Sequence, residues 1–545
     1  MPEHSLQKGW YLPAEQRPST DRSGLLSALQ QLHQDIGIVE VDGNLAWICG
    51  GAPVLTGPAE RPAGTDAVKL LAWTGPLTPA DLGDPSFLRA YGVRAPYVAG
   101  AMANGIGSED VVIAMSHAGM LGFFGSAGLP PARIEAAIDR IQREVGAGAY
   151  GFNLIHSPND PRAEQETVDL YLRRGVSVVS ASAYMKLTAP LVQYRAAGLS
   201  RGADGTIVRQ NRLIAKVSRP EVAKHFLRPA PESILEALVR DGRITAEQAE
   251  LAALVPMADD LTAEADSGGH TDRRPLPVLL PLLLRQRDQI AAELGYADRL
   301  DEPVRIGAAG GLGDPAAVAA AFQLGAAYVL TGTVNQACVE AGTSPMVKAM
   351  LADAGFADVG MAPAGDMFEQ GAEVQVLQRG TLFARRGSRL REWHRRYNSL
   401  DELSDAERDE LETKILRRPA EDVWAECESF FAERDPEQLD RARKDPRKKM
   451  ALIFRWYLGL SSRWAIAGQA DRRADVQVWC GPAIGAFNAW TEGTFLADPQ
   501  HRTVATVAAN LLCGAAALIR ARSLLQQGVD PGAEAHQYPP RPLQA

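Results

Sequence analysis

Cysteine is scarce in this chain. Five residues, Cys49, Cys338, Cys427, Cys480 and Cys513, are scattered over 545 positions with no Cys-x-x-Cys pair. That pattern excludes a disulfide framework and a finger-type zinc site, and it fits a reducing compartment. Positive charge is not in excess either. Lysine and arginine number 57 against 66 acidic residues, a net charge of −9, so the chain as a whole offers no footprint for nucleic acid or an anionic membrane. No apolar run approaches the roughly 20 uninterrupted residues of a bilayer span. The opening MPEHSLQKGWYLPAEQ lacks the basic and apolar regions of a secretory signal. A cytoplasmic protein, with no nucleic-acid or membrane partner, is the expectation.

Apolar material is plentiful. Hydrophobic residues make up 46% of the chain, and single cores rarely outgrow about 250 to 300 residues, so two or three units are expected. Within residues 1–94, IGIVEVDGNLAWICGGAPVL alternates apolar and polar side chains around Asp42-Gly43, the mark of a β-hairpin in a small N-terminal β cap. From 95 to 345 the texture changes. Short apolar strands at 96–103, 120–128, 149–155, 177–184, 213–219, 261–266, 304–311 and 327–334 alternate with amphipathic helical segments. Eight such units over roughly 250 residues predict an α/β fold, a TIM (β/α)8 barrel. A doubly wound open sheet is the competitor, but normally has fewer strands.

The interval before strand 6 is long. Residues 229–256 supply two helices joined by Asp241-Gly242, a helical insertion expected to form a lid over the barrel mouth. Residues 346–530 read as a helical C-terminal domain, pendant on the barrel and shaping substrate access, in which TVATVAANLLCGAAALIRARSLLQQG is a core helix. Residues 531–545, PGAEAHQYPPRPLQA, read as a disordered tail.

Barrel enzymes build their sites at the C-terminal ends of the strands. The first strand ends in Ala101-Met102-Ala103-Asn104-Gly105, where small residues let a planar ligand approach the backbone. The third offers the amide of Asn153, and the fifth carries Lys216 between apolar neighbours, so strand periodicity aims its cation into the mouth. The seventh and eighth end in Gly310-Gly311-Leu312-Gly313-Asp314 and Thr331-Gly332-Thr333. Bare backbone N–H groups there, with helix N-termini beyond them, suit a phosphorylated ligand, FMN foremost. In EADSGGHTD, Gly268 and Gly269 let the backbone pass close to a ligand while His270 projects over it. His117 falls within a helix, and His156 in HSPND borders the site. Cys338 is a candidate nucleophile with no identifiable helper base.

Together AMANGIGSED, GFNLIHSPND, SASAYMKLT, IAKVSRPEVA, EADSGGHTD, GAAGGLGDPAAVAAAFQLGAAYVLTGTVNQACVEAGTS and FEQGAEVQVLQRGTLFARR resemble the PfaD-type trans-acting enoyl reductases of polyketide and polyunsaturated fatty acid synthases. That family is related to the nitronate monooxygenases. The resemblance implies FMN as cofactor, NADPH or NADH as co-substrate, and enoyl thioesters on acyl carrier protein domains as substrate. An acyltransferase and a second copy of the chain are further candidate partners. His270 becomes the catalytic or substrate-orienting group, with Lys216 as a second candidate. Ala101, Met102, Asn104, Asn153, Lys216, Gly268 and Gly269 would hold the ring and ribityl chain, and Gly310, Gly311, Gly332 and Thr333 the phosphate. The rival functions are a nitronate monooxygenase-like flavin oxidase, a barrel that only docks within a synthase, and a nucleotide dehydrogenase using Cys338.

Overall fold

The computed structural model describes residues 8–14, 16–55, 61–63, 65–156, 161–298 and 300–543. Residues 157–160 of the HSPND stretch, like the first seven, lie outside them. Eight parallel strands close a barrel in chain order: β1 Tyr97–Ala99, β2 Leu121–Phe124, β3 Gly151–Ile155, β4 Val178–Ser182, β5 Arg212–Val217, β6 Asp260–Glu264, β7 Arg305–Ala309 and β8 Val329–Thr331. The outer ring holds α1 Glu109–His117, α2 Pro131–Val145, α3 Pro161–Arg174, α4 Ala189–Ala197, α5 Pro220–Leu227, α6 Leu276–Leu294 and α7 Pro315–Gln323. Strands of such a barrel are apolar on both faces because one face fills the interior and the other meets the helices. Val98, Leu121, Phe123, Val178, Ile214 and Leu330 share the interior cluster. Leu213, Ala215, Leu261 and Ala263, of opposite parity, join the cluster under the helices. Phe87 and Tyr91 close the floor, Phe87 stacking on Tyr328 with ring centroids 4.4 Å apart.

The N-terminal cap is a five-stranded antiparallel sheet with Asn44–Cys49 and Ile36–Val41 at one edge, joined through Asp42 (φ 51°) and Gly43 (φ 77°). Two left-handed residues in a two-residue loop match the right-handed twist of the strands, as the Asp-Gly pair implies.

The helical insertion is present as Glu232–Arg240 and Ala246–Ala252, but it is not a lid. It follows α5 rather than β5. An insertion after a helix hangs from the N-terminal end of the barrel, whereas one after a strand rises over the mouth. Gln248 Nε2 donates to Ala197 O at the end of α4 (3.1 Å), and beyond the insertion Asp259 N donates to Leu213 O at the start of β5 (2.9 Å).

The C-terminal region is helical, with α8 Phe383–Arg396, α9 Pro446–Ala467 and α10 Val504–Gln526 among its helices, but it is not pendant. After β8 the chain makes only a single turn of helix, Thr333–Gln336, and α10 takes the eighth place in the outer ring, against α7 and α1. Gly514 permits this closeness, since a Cβ there would lie 2.6 Å from Pro315 Cγ. Among the described residues α10 is the one helix long and apolar enough to cross a membrane, and 72% of that stretch is buried in the fold. Burial on all sides accounts for its composition. Arg520 of α10 donates to Leu29 O (2.9 Å) and Gln31 O (3.1 Å), stitching the cap to the barrel.

The tail expected to be disordered packs as far as residue 543. Tyr538 is 3% exposed, its carbonyl accepts from Trp490 Nε1 (2.7 Å), and Arg541 Nη1 donates to Gln30 Oε1 (2.8 Å). Its aromatic and arginine side chains outweigh a proline-rich composition.

Candidate active site

At the C-terminal mouth, loops after all eight strands converge. Ile214 lies in the interior, so Lys216, two residues on, faces the same way. Thr262 Oγ1 meets the interior Tyr328 hydroxyl at 2.8 Å, so Glu264 faces inward too. The two meet: Lys216 Nζ lies 2.7 Å from Glu264 Oε1, with side chains 16% and 21% exposed. The inward lysine is therefore half of a neutral pair, with two N–H groups left to offer.

Asn153 is buried, and its Nδ2 donates to Ser180 O (3.0 Å) and Ser182 Oγ (3.3 Å), tying β3 to β4. That leaves Oδ1 as the atom it can offer a ligand. In the first loop Asn104 adopts φ 58°, Asn104 N donates to Ala127 O (2.8 Å) and Gly107 N to Met102 O (3.0 Å). A Cβ on Gly125 would lie 1.6 Å from Met102 O, so the backbone beyond Ala101 is fixed by the loop after β2.

The four residues expected to cradle a phosphate behave differently. Gly311 (φ 73°) and Gly332 have nothing within 4 Å of a built Cβ and border open space. Gly310 is a packing glycine, its Cβ position 2.7 Å from Asp266 O. Thr333 Oγ1 accepts from Gly481 N (3.1 Å). The dipole of α7 is not available to an anion: the Asp314 carboxylate caps it, accepting from Ala317 N (2.8 Å). Any phosphate here rests on backbone N–H groups and Thr333.

The acids of EADSGGHTD are latches. Glu264 holds Lys216, Asp266 Oδ1 accepts from Gln375 Nε2 (3.0 Å), and Asp272 pairs with Arg219 at 2.8 Å, which holds its carboxyl down at about 2. Between them Gly269–His270 forms a short strand against Glu373–Leu377, which itself pairs with Val359–Pro363 in a three-stranded sheet. His270 sits opposite Val374. Its Nε2 lies 3.2 Å from Asp366 Oδ2, in the turn of that hairpin. The hydrogen bond to Asp366 raises the pKa of His270 above its ordinary 6.5, and although burial pushes the other way, the partner histidine lowers that of Asp366. A raised histidine value means that the pair contributes to stability below pH 6.5 and loses that contribution as pH climbs through the folded-state value. Asp366→Asn is accordingly expected to move the His270 titration to lower pH, read by NMR of the imidazole; an unmoved titration contradicts the pairing.

Sequence reading misses Asp366 because 96 residues separate it from His270. It also misses a strap, residues 479–483. Gly268 is required because its Cβ would lie 2.8 Å from Cys480 Cα, Gly313 because its Cβ would lie 2.2 Å from Ala483 O, and Gly481 N reaches Thr333. One segment of the C-terminal region thus locks the loops after β6, β7 and β8. Its signal is Trp479-Cys480-Gly481-Pro482, a turn-rich run between helical stretches. Gly313→Ala should displace the strap and cost about 1 to 3 kcal/mol, measured by chemical denaturation; a neutral substitution contradicts the lock.

Cys338 is removed as a nucleophile. It is fully buried, its Sγ points to Val334 O at 3.3 Å, and burial drives its thiol pKa far above the ordinary range, so no thiolate is available.

Comparison with known proteins matches residues 87–382 to the nitronate monooxygenase family, and residues 397–476 to the inserted helical domain of acyl-carrier-protein S-malonyltransferase. A polyunsaturated fatty acid synthase polypeptide of Thraustochytrium sp. is 50% identical over 455 residues, 82% of this chain and 30% of that protein. The polyketide biosynthesis protein PksE of Bacillus subtilis is 44% identical over 447 residues, 82% of this chain and 57% of that one. The chain thus spans less than two thirds of the length of either relative. The crystal structure of the enoyl reductase domain of MlnA, from the macrolactin cluster of Bacillus amyloliquefaciens, is 39% identical and superposes with a TM-score of 0.77, covering 81% of this chain and 99% of that domain. The chain belongs to the nitronate monooxygenase family of barrels and, within it, stands with the MlnA enoyl reductase domain, as the PfaD-type resemblance implies.

Proposed function

We propose that this oxidoreductase reduces the α,β-double bond of acyl thioesters presented on acyl carrier protein, with FMN as cofactor and NAD(P)H as reductant, in the cytoplasm. The observation that carries the reading is the His270–Asp366 pair standing at a mouth whose loops leave open space at Gly311 and Gly332. The similarity of residues 397–476 to a domain of a carrier-protein acyltransferase supports carrier-bound substrates.

The residues present fit FMN. A Cβ at Gly311 or Gly332 would fill the open space where its phosphate belongs, and the buried hydroxyls of Ser180 and Ser267 have no hydrogen-bond partner among the described residues. When bound, FMN supplies the hydride chemistry between NAD(P)H and the β-carbon of the thioester. The chain's own residues do the rest. Protonated His270 donates an N–H to the thioester oxygen as enolate charge develops, or delivers its proton to the α-carbon. Asp366 keeps that imidazole charged and oriented. Lys216, paired with Glu264, would orient a ring or ribityl oxygen without adding net charge.

Denaturing the purified protein and identifying the released cofactor by mass spectrometry tests the cofactor assignment. FMN is the expected result. A colourless protein that yields no flavin would favour the docking-protein rival.

A further inference from the structure

Two adjacent exposed arginines stand at the C-terminal end of α8. Arg395 and Arg396 make no ion pair with a described residue; Arg396 lies over the Tyr397 ring, 5.1 Å from its centroid. They line a shallow cavity of about 500 Å³ with Ser388, Arg391, Glu373 and Glu392. Both carboxylates are already engaged, Glu373 with Arg391 at 3.0 Å and Glu392 with Arg389 at 2.9 Å. The cavity is left with two exposed guanidinium groups that make no ion pair with a described residue, and one hydroxyl. Arg447 adds to the field, donating to His394 O at 3.0 Å. In the last turn of α8 these cations face the negative end of the helix dipole, and their exposed guanidinium groups are still accessible to an anionic partner. Guanidinium forks and a hydroxyl are the donors that phosphate oxygens take in pairs.

The cavity lies one strand residue from the cross-strand partner of His270, with Glu373 on its rim and on the opposite face of the strand from Val374. With opposed Cα atoms about 5 Å apart and about 3.4 Å per strand residue, the Arg391–Glu373 pair lies within roughly 15 Å of His270. That is shorter than an extended phosphopantetheine arm.

We propose that this cavity binds the phosphate of a phosphopantetheine arm, so that an acidic carrier docks against the end of α8 while the thioester at the arm's tip reaches His270. The proposal rests on the reductase reading above. The phosphate anchors the arm, the arginines select a phosphorylated carrier over a bare thioester, and the chemistry at His270 is untouched.

The test is the Arg395→Ala/Arg396→Ala double variant; both side chains are exposed and outside the packed core. Three substrates are compared at one ionic strength: a crotonyl thioester on holo-carrier, the same acyl group on phosphate-free N-acetylcysteamine, and NADPH. The KM for the carrier thioester should rise about tenfold or more, while kcat/KM for the N-acetylcysteamine thioester and KM for NADPH stay at wild-type values. Calorimetric titration should show that wild type binds holo-carrier more tightly than apo-carrier and that the variant does not. An equal loss on both thioesters, or a holo-carrier advantage that survives in the variant, overturns the proposal. A raised KM for NADPH alone would assign the cavity to the nucleotide's phosphate instead. If wild type reduced neither thioester, the reductase reading would fall, while the holo-carrier comparison would still decide the cavity.

Discussion

His270→Ala is expected to lower kcat with a crotonyl carrier thioester by roughly 10²- to 10⁴-fold, the range of a positioned general acid, while FMN content stays at the wild-type level. The side chain is 45% exposed, on a two-residue strand at the edge of a small sheet, so its removal leaves no cavity in the core. The loop keeps its latches at Lys216, Gln375 and Arg219. A loss of turnover without loss of fold or cofactor is therefore the signature of a group that acts on the substrate. In wild type, turnover should fall as pH rises through the raised His270 value; in Asp366→Asn the fall should begin at lower pH. Unchanged kcat in His270→Ala would make the residue structural.

The second large effect lies at the other end of the barrel and concerns stability. Arg305→Leu is expected to destabilise the protein by about 3 to 5 kcal/mol, because it strips the cation from a buried carboxylate. Arg305 is 1% exposed and Asp260 fully buried. Arg305 Nε and Nη2 lie 2.6 and 3.0 Å from the two Asp260 oxygens, and Tyr91 donates to the same carboxylate. Burial works against charge on both partners, lowering the pKa of Arg305 and raising that of Asp260, but the two-pronged contact and the Tyr91 hydrogen bond to the same carboxylate favour the ion pair, and Asp260 holds Arg305 above its usual value. Next door Asp259 is matched separately by Arg195 at 2.8 Å and Arg209 at 3.0 Å, and those arginines are committed to it. Pairing Arg305→Leu with Asp260→Leu, which removes the orphaned charge, should recover part of the loss in a denaturation series. A single variant as stable as wild type would contradict a charged floor.

These two residues show what is legible in a sequence. The eight strands are readable because both faces of each are apolar and each is bounded by turn or capping residues, and Asp42-Gly43 announces its hairpin through backbone conformations few other pairs adopt. Lys216 can be aimed inward from alternation alone. Its partner Glu264 cannot be assigned that way, since which acid meets it depends on the stagger between β5 and β6. Asp366, the strap at 479–483 and the placing of α10 as the eighth outer helix are contacts between segments far apart in the chain, with no local pattern. The insertion at 229–256 is readable as two helices. Its position depends on whether it follows strand or helix, and α5, only eight residues long, runs on to the insertion after four residues, so the two are easily read together. The tail deceives because composition measures average solvation, whereas Tyr538 and Arg541 find specific partners.

Hydride delivery to a carrier-bound enoyl thioester and oxidation of a nitronate leave different products. Anaerobic incubation of the purified protein with NADPH and crotonyl carrier thioester separates them, by quantifying NADPH consumed and butyryl thioester formed. One butyryl thioester per NADPH, with no dependence on oxygen, is the predicted result. No thioester-dependent NADPH oxidation, together with oxygen consumption on addition of a nitroalkane, would contradict it.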